Sequence, residues 1–446
     1  MTADRERIEL LLSGTHPSAL LPARRSQEAA RMELPIELVS CVRLDERGGE
    51  RWFVIVRDGR GVSYGVPCVI EGDALRRALP GDGAAEALLR MLATAGDGKT
   101  QDSISITPWH SEPCTGERGF DVDQTNELVV IGERAVVKWL LHPTADDQPA
   151  PRRLAALAKA GFAGTPRPWG LVSLDEAGES RLIATVIDYI AGARDGWEWA
   201  VDDVRSLARG EIDLDTATGS IAVIGRLIAE MHLAFAAQGR AVATREQAET
   251  WHREAAQDLR DAALGSLDAE LVEREIALIA GFEGASVIDV HGDLHIGQIL
   301  RAERPNELWV IDFDGNPTQS PEQRMAQQPA ARDVAGMLAS LDHVGRVVLF
   351  RTDDLDDDQR RRVLEWIVIA QHCFLDAYAS RLAASGEERL FEPRLVRPFQ
   401  LQQECREFIY AARYLPHWTY VPEGALASLL STTAANPSGN DHEGVQ

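Results

Sequence analysis

The chain has 446 residues, of which 45% are hydrophobic and 26% charged, as in soluble globular proteins built from two or three domains. Its formal net charge of -24 excludes nucleic acid as the main partner, because phosphate backbones are bound by clustered Lys and Arg, and argues against an anionic membrane surface. Five scattered cysteines without a CxxC pair and an N-terminus without an apolar segment predict a cytoplasmic protein. No run approaches the roughly 20 apolar residues of a membrane helix.

The first half of the chain is predicted to be rich in β-structure. Residues 52–70 contain many Val, Ile and aromatic residues interrupted by glycine, which is typical of short strands joined by turns. A helix is expected near residues 84–95, followed by a polar linker at 96–103. A second hairpin pattern covers residues 126–141, and a helix is expected over 152–161.

Beyond Asp195 the hydrophobic residues recur at helical spacing. Two β-type segments, 287–300 and 307–317, interrupt this pattern. The last residues, 431–446, are polar and predicted to be disordered. The helices are expected at 221–237, 246–264, 268–279, 361–382 and 400–414.

The segment HGDLHIGQ, residues 291–298, contains the residue types that phosphoryl transfer from ATP requires. One carboxylate must orient the acceptor hydroxyl, and one or two further oxygen ligands must hold Mg²⁺ on the phosphates. Asp293 lies five residues before Gln298, and Asp312 follows a short apolar strand. An amide oxygen and a carboxylate are both suitable ligands for a hard cation. This spacing predicts a kinase site.

The motifs HGDLHIGQ, DFDGNP at 312–317 and RDVAGML at 332–338 resemble the kinase-like superfamily of aminoglycoside and choline phosphotransferases. Within it they look like the actinobacterial maltokinases and their glucosamine kinase relatives. DGW at 195–197, and YAAR at 410–413 with Trp418, are also similar to that group. The resemblance implies an α+β, bilobal, protein-kinase-like fold with a β-rich N-terminal cap. It divides the chain into a cap (1–105), a β-rich ATP-binding lobe (106–194), a helical lobe with the catalytic loop (195–430) and a tail (431–446).

The resemblance also assigns roles to single residues. Asp293 would be the catalytic base, and Gln298 and Asp312 would bind Mg²⁺, with Asp314 as either a second ligand or a sugar contact. Lys138 would hold the ATP phosphates. The adenine hinge would be formed by Asp188, Tyr189 and Ile190, and the catalytic loop would be supported by His291 and His295.

Two features depart from the family pattern. No GxGxxG loop precedes Lys138. The helix that carries a glutamate partner for this lysine in maltokinases begins here with Pro-Arg-Arg at 151–153, so Asp146 or Asp147 would have to substitute.

The predicted helix 400–408 is dense in Gln and Glu and could accept hydrogen bonds from sugar hydroxyls. It could also place a carboxylate beside an ammonium group, which suits an amino sugar that is a cation at neutral pH. Together with the altered DFDGNP motif, the resemblance to glucosamine kinases therefore favours glucosamine phosphorylated on its primary 6-hydroxyl as the reaction. The residues expected to contact the sugar are Asp293, Asp314, Gln400, Gln403, Glu404 and Glu407.

Three alternatives remain open from the sequence: a maltokinase that forms maltose 1-phosphate, an aminoglycoside phosphotransferase, and a non-catalytic sensor that keeps the kinase fold. His232 is interpreted as a satisfied helix residue, and the acidic run 353–358 as a solvated loop before a helix. Trp197 and Trp418 are interpreted as packing residues. The partner is expected to be a small sugar, with no nucleic acid or membrane, and the protein is expected to act as a monomer or weak homodimer.

Overall fold

The computed structural model describes residues 2–21, 26–45, 50–95, 104–120, 127–143, 148–176, 178–302 and 307–434. The chain forms two compact units, the first from residues 1–151 with 166–191 and the second from residues 152–165 with 192–446. The predicted linker at 96–103, together with Asp146 and Asp147, lies outside the described residues.

The first unit contains two antiparallel sheets. One is four-stranded in the order β1-β2-β3-β4, and the other is six-stranded in the order β5-β9-β10-β8-β7-β6. The bounds are α1 Thr2–Ser13, α2 Ser26–Arg31, β1 Glu37–Arg43, β2 Arg51–Arg57, β3 Ser63–Glu71, β4 Ala74–Arg77, α3 Ala84–Thr94, β5 Ile104–Pro108, β6 Glu117–Gly119, β7 Glu127–Ile131, β8 Ala135–Trp139, β9 Pro168–Glu176 and β10 Glu179–Asp188.

A single hydrophobic core joins the two sheets of this unit through α3. Leu88 and Leu92 of α3 are buried in it, and the Phe53 ring of the first sheet stacks on Trp139 of the second at 5.6 Å between ring centroids. The strands of the predicted cap (1–105) and of the predicted ATP-binding lobe (106–194) therefore share this core, because each sheet buries an apolar face on α3.

The second unit is helical apart from two short hairpins, β11 with β12 and β13 with β14. Helix α4 starts in the first unit and continues in the second from Arg152. The bounds are α4 Pro149–Ala160, α5 Gly196–Ala208, α6 Leu214–Gln238, β11 Arg240–Val242, α7 Arg245–Ala262, α8 Ser266–Ile276, β12 Ser286–Ile288, β13 Ile299–Arg301, β14 Leu308–Val310, α9 Pro321–Met325, α10 Ala331–Arg351, α11 Asp357–Ala383, α12 Val396–Tyr414 and α13 Tyr420–Ala434.

Helix α10 is the central helix of this unit and packs against α5, α11, α12 and α13. It is not among the helices expected from the sequence, although it runs for 21 residues and is buried on most of its sides. Of the expected tail, residues 431–434 belong to α13, which extends to Ala434, and residues 435–446 lie outside the described part of the chain.

Helix α6 has the length and apolar composition of a membrane span, with a mean hydropathy of 1.5 over its most apolar window. This differs from the sequence expectation that no such run exists. More than half of that window, 56%, is buried inside the protein. A buried core helix of a soluble protein has the same composition, so α6 is weak evidence for a membrane.

Candidate active site

The predicted catalytic loop, residues 291–298, follows β12 and is held by the buried side chain of Asp333 at the start of α10. Its carboxylate accepts hydrogen bonds from the backbone N–H groups of His291 (2.7 Å) and Gly292 (2.9 Å). Burial alone raises the pKa of Asp333, but the hydrogen bond from His232, nearby imidazoles and these backbone donors hold it below its ordinary value. Asp333 therefore anchors the loop as an anion.

A chain of buried polar groups continues behind Asp333. His232 Nε2 lies 3.0 Å from Asp333 Oδ2, and its Nδ1 lies 2.8 Å from the Tyr378 hydroxyl. All three side chains are fully buried. When the ring is neutral, Nε2–H donates to the carboxylate and Nδ1 accepts from the tyrosine. His232 is therefore a satisfied core residue, as the sequence predicts, and it links α6, α10 and α11.

His291 connects the two segments that contain the predicted catalytic and metal-binding residues. Its Nε2–H donates to the Ile311 carbonyl at 2.8 Å, and its Nδ1 accepts from the Asp293 backbone N–H at 3.3 Å. Both contacts fit one neutral tautomer. Burial lowers the pKa of His291 against the opposing effect of Asp333, which favours that neutral form. The ring thus fixes the distance between Asp293 and the residue preceding Asp312.

Asp293 is half-buried, and its Oδ1 accepts a hydrogen bond from Asn316 Nδ2 at 3.1 Å. Burial raises the pKa of Asp293; the charge of His295 opposes this, while Asp312 and Glu407 add to it. Sequence reasoning missed Asn316, although the altered DFDGNP motif marked its position. The contact orients the carboxylate while leaving Oδ2 for an acceptor hydroxyl.

The predicted metal ligands Gln298 and Asp312 are brought together by the β13–β14 hairpin. Ile299 pairs with Val310, and the Ile311 N–H donates to the Gln298 carbonyl at 3.0 Å. Asp312 has φ of 66°, a left-handed conformation that is uncommon outside glycine and often found at functional sites.

An amide oxygen with one or two carboxylates fits Mg²⁺, which retains waters and binds substrate phosphates rather than needing a complete protein cage. The described residues contain no group of three or more His, Cys, Asp or Glu side chains suited to a metal. A metal at Gln298 and Asp312 would therefore be completed by nucleotide oxygens and water.

His295 constrains the orientation of the Gln298 amide. Its Nδ1 accepts from the Gly297 backbone N–H at 3.1 Å, so a neutral ring has its proton on Nε2. Burial lowers the pKa of His295 against the effect of Asp293, which favours this neutral ring. Its Nε2 atom lies 3.2 Å from the Gln298 Nε2 atom, so that two N–H donors would face each other. Rotating the amide by 180° places the Gln298 Oε1 atom there instead, and His295 Nε2–H can then donate a hydrogen bond to it. The second lone pair of that oxygen then remains for a cation.

Helix α5 explains the DGW motif. Asp195 caps the helix by accepting from the Glu198 N–H, and Gly196 approaches the catalytic loop so closely that a Cβ would lie 1.7 Å from the Ile296 carbonyl oxygen. The Trp197 and Trp418 rings pack together at 5.8 Å between centroids. The motif therefore packs the start of α5 directly against the loop that contains Ile296.

The polar side chains of helix α12 differ in how deeply they are buried. Glu404 is 1% exposed and both of its carboxylate oxygens lie 3.1 Å from His343 Nε2. Gln400 is also buried, whereas Gln403 and Glu407 are half-buried and joined by a 3.1 Å hydrogen bond. The predicted role of Glu404 as a sugar ligand therefore needs correction, because its carboxylate is already bound inside the helical core.

Glu407 lies near enough to Asp293 to contribute to its raised pKa, after the larger effects of burial, His295 and Asp312. Glu407 also acts to raise the pKa of His295, where the lowering effect of burial is dominant. The structure thus brings one face of α12 beside the catalytic loop. Asp314, on the adjacent loop, is half-buried, and its carbonyl lies 3.5 Å from Arg324 Nη1.

The predicted nucleotide-binding residues lie in the first unit. Lys138 is central in β8, paired with Thr185 of β10 and Leu128 of β7. The Asp188 carboxylate accepts from Trp169 Nε1 at 2.6 Å and from Arg167 at 3.2 Å.

The backbone N–H groups of the expected hinge are partly used within this unit. The N–H of Asp188 donates to Arg167 and that of Tyr189 to Arg134. Recognition of adenine through this segment would therefore use its carbonyls and the N–H of Ile190.

The acidic run 353–358 has a structural role. Asp356 is the N-cap of α11 and forms a reciprocal capping box with Gln359. The further carboxylates at 357 and 358 lie in the first helical turn, where the helix dipole favours them. This agrees with the interpretation as a solvated loop before a helix.

Taken together, a helical unit with an anchored HGD loop and a hairpin that brings the predicted metal ligands together, and a β-rich unit with Lys138, define a phosphotransferase of the protein-kinase-like fold. No protein-family model matches the chain. It is 44% identical over 437 residues to a glucosamine kinase from Streptacidiphilus jiangxiensis, covering 94% of this chain and 97% of that protein. It is 39% identical over 408 residues to a glucosamine kinase from Mycolicibacterium smegmatis (strain ATCC 700084 / mc(2)155), covering 88% and 98%.

A solved glucosamine kinase structure superposes with a TM-score of 0.82 at 42% identity, covering 95% of this chain and 99% of the other. A second, determined with glucosamine, ADP and inorganic phosphate, has a TM-score of 0.78 at 41% identity and covers 96% and 99%. The chain belongs to the glucosamine kinase family.

Proposed function

We propose that this protein is an ATP- and Mg²⁺-dependent glucosamine kinase that transfers the γ-phosphate of ATP to the 6-hydroxyl of D-glucosamine. The observation that carries the proposal is the 44% identity to a glucosamine kinase across nearly the whole chain. The anchored loop and paired metal-ligand positions support it, because they supply every part of the site that the helical unit of a kinase needs.

Asp293 acts as the catalytic base in this proposal. Asn316 holds one carboxylate oxygen, and His291 holds the backbone of the residue, so the other oxygen can orient the sugar hydroxyl for in-line attack. The raised pKa of Asp293, which comes first from burial, suits a group that accepts a proton.

Gln298 and Asp312 hold the metal in this proposal, and His295 orients the Gln298 amide. Bound Mg²⁺ would offset the negative charge on the transferred phosphoryl group. Lys138 holds the ATP phosphates, and the segment with Asp188, Tyr189 and Ile190 recognises adenine.

Selectivity for an amino sugar is assigned to α12 and its neighbouring loop. Glu407, fixed by Gln403, gives the substrate side of the helix a carboxylate near Asp293 that attracts an ammonium group. Asp314 and Gln400 are proposed to contact sugar hydroxyls. Glu404 acts indirectly, through its bond to His343.

We further propose a cytoplasmic location and a monomeric or weakly dimeric state. The five cysteines, all within the described residues, form no disulfide bond, which suits a reducing compartment. Light scattering coupled to size-exclusion chromatography tests the oligomeric state directly; a stable higher oligomer would contradict it.

The test of the main proposal is ADP release with ATP and Mg²⁺ against glucosamine, glucose, N-acetylglucosamine, maltose and an aminoglycoside. Turnover should be strong with glucosamine, and phosphorus–carbon coupling in NMR of the product should place the phosphate on carbon 6. Equal turnover with glucose would remove the role of the ammonium group. Preferred turnover of maltose or the aminoglycoside would replace the proposed substrate.

A further inference from the structure

Arg153 of α4 is a buried cation with an unusual set of partners. Its side chain is 1% exposed, and burial lowers its pKa to about 10. Burying a charge is costly unless it is well paired. Within the described part of the chain, its hydrogen bonds go to three backbone carbonyls rather than to a carboxylate. The bonds of this arginine therefore connect backbone segments and do not pair it with a counter-ion.

The three carbonyls belong to three separate segments of the second unit. Nη1 donates to the carbonyls of His291 (2.9 Å) and Phe313 (2.8 Å), and Nη2 donates to that of Arg324 (2.7 Å). His291 begins the catalytic loop, and Phe313 lies between Asp312 and Asp314. One guanidinium group therefore ties the loop with the base to the loop with the metal ligand.

Two glycines leave space for the Arg153 guanidinium beside the loops. Gly292 and Gly315 both have left-handed φ angles, of 82° and 73°. A Cβ at Gly292 would lie 3.3 Å from Arg153 Nη2, and one at Gly315 would lie 3.0 Å from Nη1. Each position is thus restricted to glycine by its backbone angle, and both also leave room for the guanidinium.

The neighbouring Arg152 forms a second, more exposed connection. Its Nη2 donates to Asp289 Oδ1 at 2.6 Å and to the Met325 carbonyl at 2.7 Å. Asp289 precedes the catalytic loop, and Met325 ends α9. Arg152 therefore bonds to residues that flank the two loops. Arg153, in contrast, donates directly to a backbone carbonyl in each loop.

We propose that Arg153 is a positioning residue for phosphoryl transfer, which sets the catalytic loop and the metal loop at their working separation. The inference rests on the proposed kinase function. Loss of its donors would let Phe313 and Asp312 move relative to Asp293. Misplacement by about 1 Å can reduce turnover by about 100-fold, so the expected effect is on kcat more than on the KM for the sugar.

The test compares Arg153→Met, which keeps the length but removes the donors, with Arg153→Lys, which keeps the charge but cannot bond all three carbonyls in one plane. Arg346→Met is the matched control. Arg346 is a partly buried arginine of the same unit that pairs with Asp342 and Ser428, away from both loops. Thermal unfolding confirms that each variant is folded.

The readouts are kcat, the KM for glucosamine, the Mg²⁺ concentration for half-maximal rate, and binding of Mn²⁺ with a non-hydrolysable ATP analogue by electron paramagnetic resonance. We expect Arg153→Met to lower kcat about 100-fold and to weaken Mn²⁺ binding several-fold, with Arg153→Lys intermediate and Arg346→Met unchanged in both. If Arg153→Met does not fold, Arg153→Lys decides the question.

A folded Arg153 variant with wild-type kcat and wild-type Mn²⁺ binding, whatever its unfolding temperature, would overturn the proposal. Failure of the proposed function is a different result, because the wild-type protein would then phosphorylate no sugar. The Mn²⁺ measurement does not depend on turnover, and it would still test the positioning role.

Discussion

His343 of α10 places its Nε2 atom 3.1 Å from both carboxylate oxygens of Glu404 of α12, and both side chains are buried. Burial alone lowers the pKa of His343, but Glu404, with Glu407 and Asp342, raises it to about 9. Burial raises the pKa of Glu404 to about 7 against the opposing effect of His343. The pair binds protons more tightly than the separate residues would in water.

Stability is therefore expected to fall as the pH rises from about 5 to about 9. Both folded pKa values lie above the ordinary values of 6.5 and 4.5, so the folded protein binds more protons than the unfolded chain. The stabilisation is complete below the ordinary pKa values and is lost as the pH rises through the folded ones. Scanning calorimetry should show the unfolding midpoint decreasing by a few degrees across this interval.

The double variant His343→Gln with Glu404→Gln is the control for this prediction. Two neutral amides can still hydrogen-bond but do not titrate. The pH dependence of its unfolding midpoint should be flatter than that of the wild type. A decline as steep as in the wild type would assign the effect to other groups.

Replacing Asp293 by Asn should lower kcat by about 100- to 10,000-fold, since the variant keeps the contact to Asn316 but cannot accept the proton of the sugar hydroxyl. Binding of ATP, measured by isothermal titration calorimetry, should change little. Asp202→Asn, at an exposed surface carboxylate, should retain full turnover. Retained turnover in Asp293→Asn would end the assignment of the base.

Replacing Glu407 by Gln should raise the KM for glucosamine about 10-fold, because a fixed negative charge beside the ammonium group is lost, corresponding to about 1.4 kcal/mol. The KM for ATP should stay the same. Glu404→Gln is the matched comparison on the same helix, and its main effect should be on stability. An unchanged KM in Glu407→Gln would mean that another group recognises the amino group.

Replacing Asp333 by Asn should destabilise the protein by about 3 kcal/mol, because the amide offers only one acceptor oxygen to the two loop N–H groups and His232. Turnover should fall as well, since the catalytic loop loses its anchor. Tyr378→Phe removes only the hydrogen bond between the tyrosine hydroxyl and His232, and it should lower the free energy of unfolding by about 1 kcal/mol. Urea unfolding measures the stability of both variants. A similar loss of stability in the two would show that the anchor does not depend on the negative charge of Asp333.

The sequence by itself predicted the parts of the candidate site whose members are close along the chain. Asp293 and Gln298 lie on one short loop, and Asp312 follows on the hairpin strand paired with the strand after Gln298. Local spacing and the turn geometry of a hairpin are enough to bring such residues together. The roles of His291 and His295 as supports for this loop were accessible for the same reason.

Only the tertiary structure decided which long-range partners hold that loop. Arg153 reaches carbonyls 138 and 160 positions away, and His232 reaches Asp333 across 101. It also decided that Glu404 faces the core while Glu407 faces the catalytic loop, since residues three apart on a helix differ by about 60° in direction and neighbouring helices determine which direction is buried. No pattern within α12 contains that information, because the partner of Glu404, His343, lies on another helix, 61 positions away in the sequence.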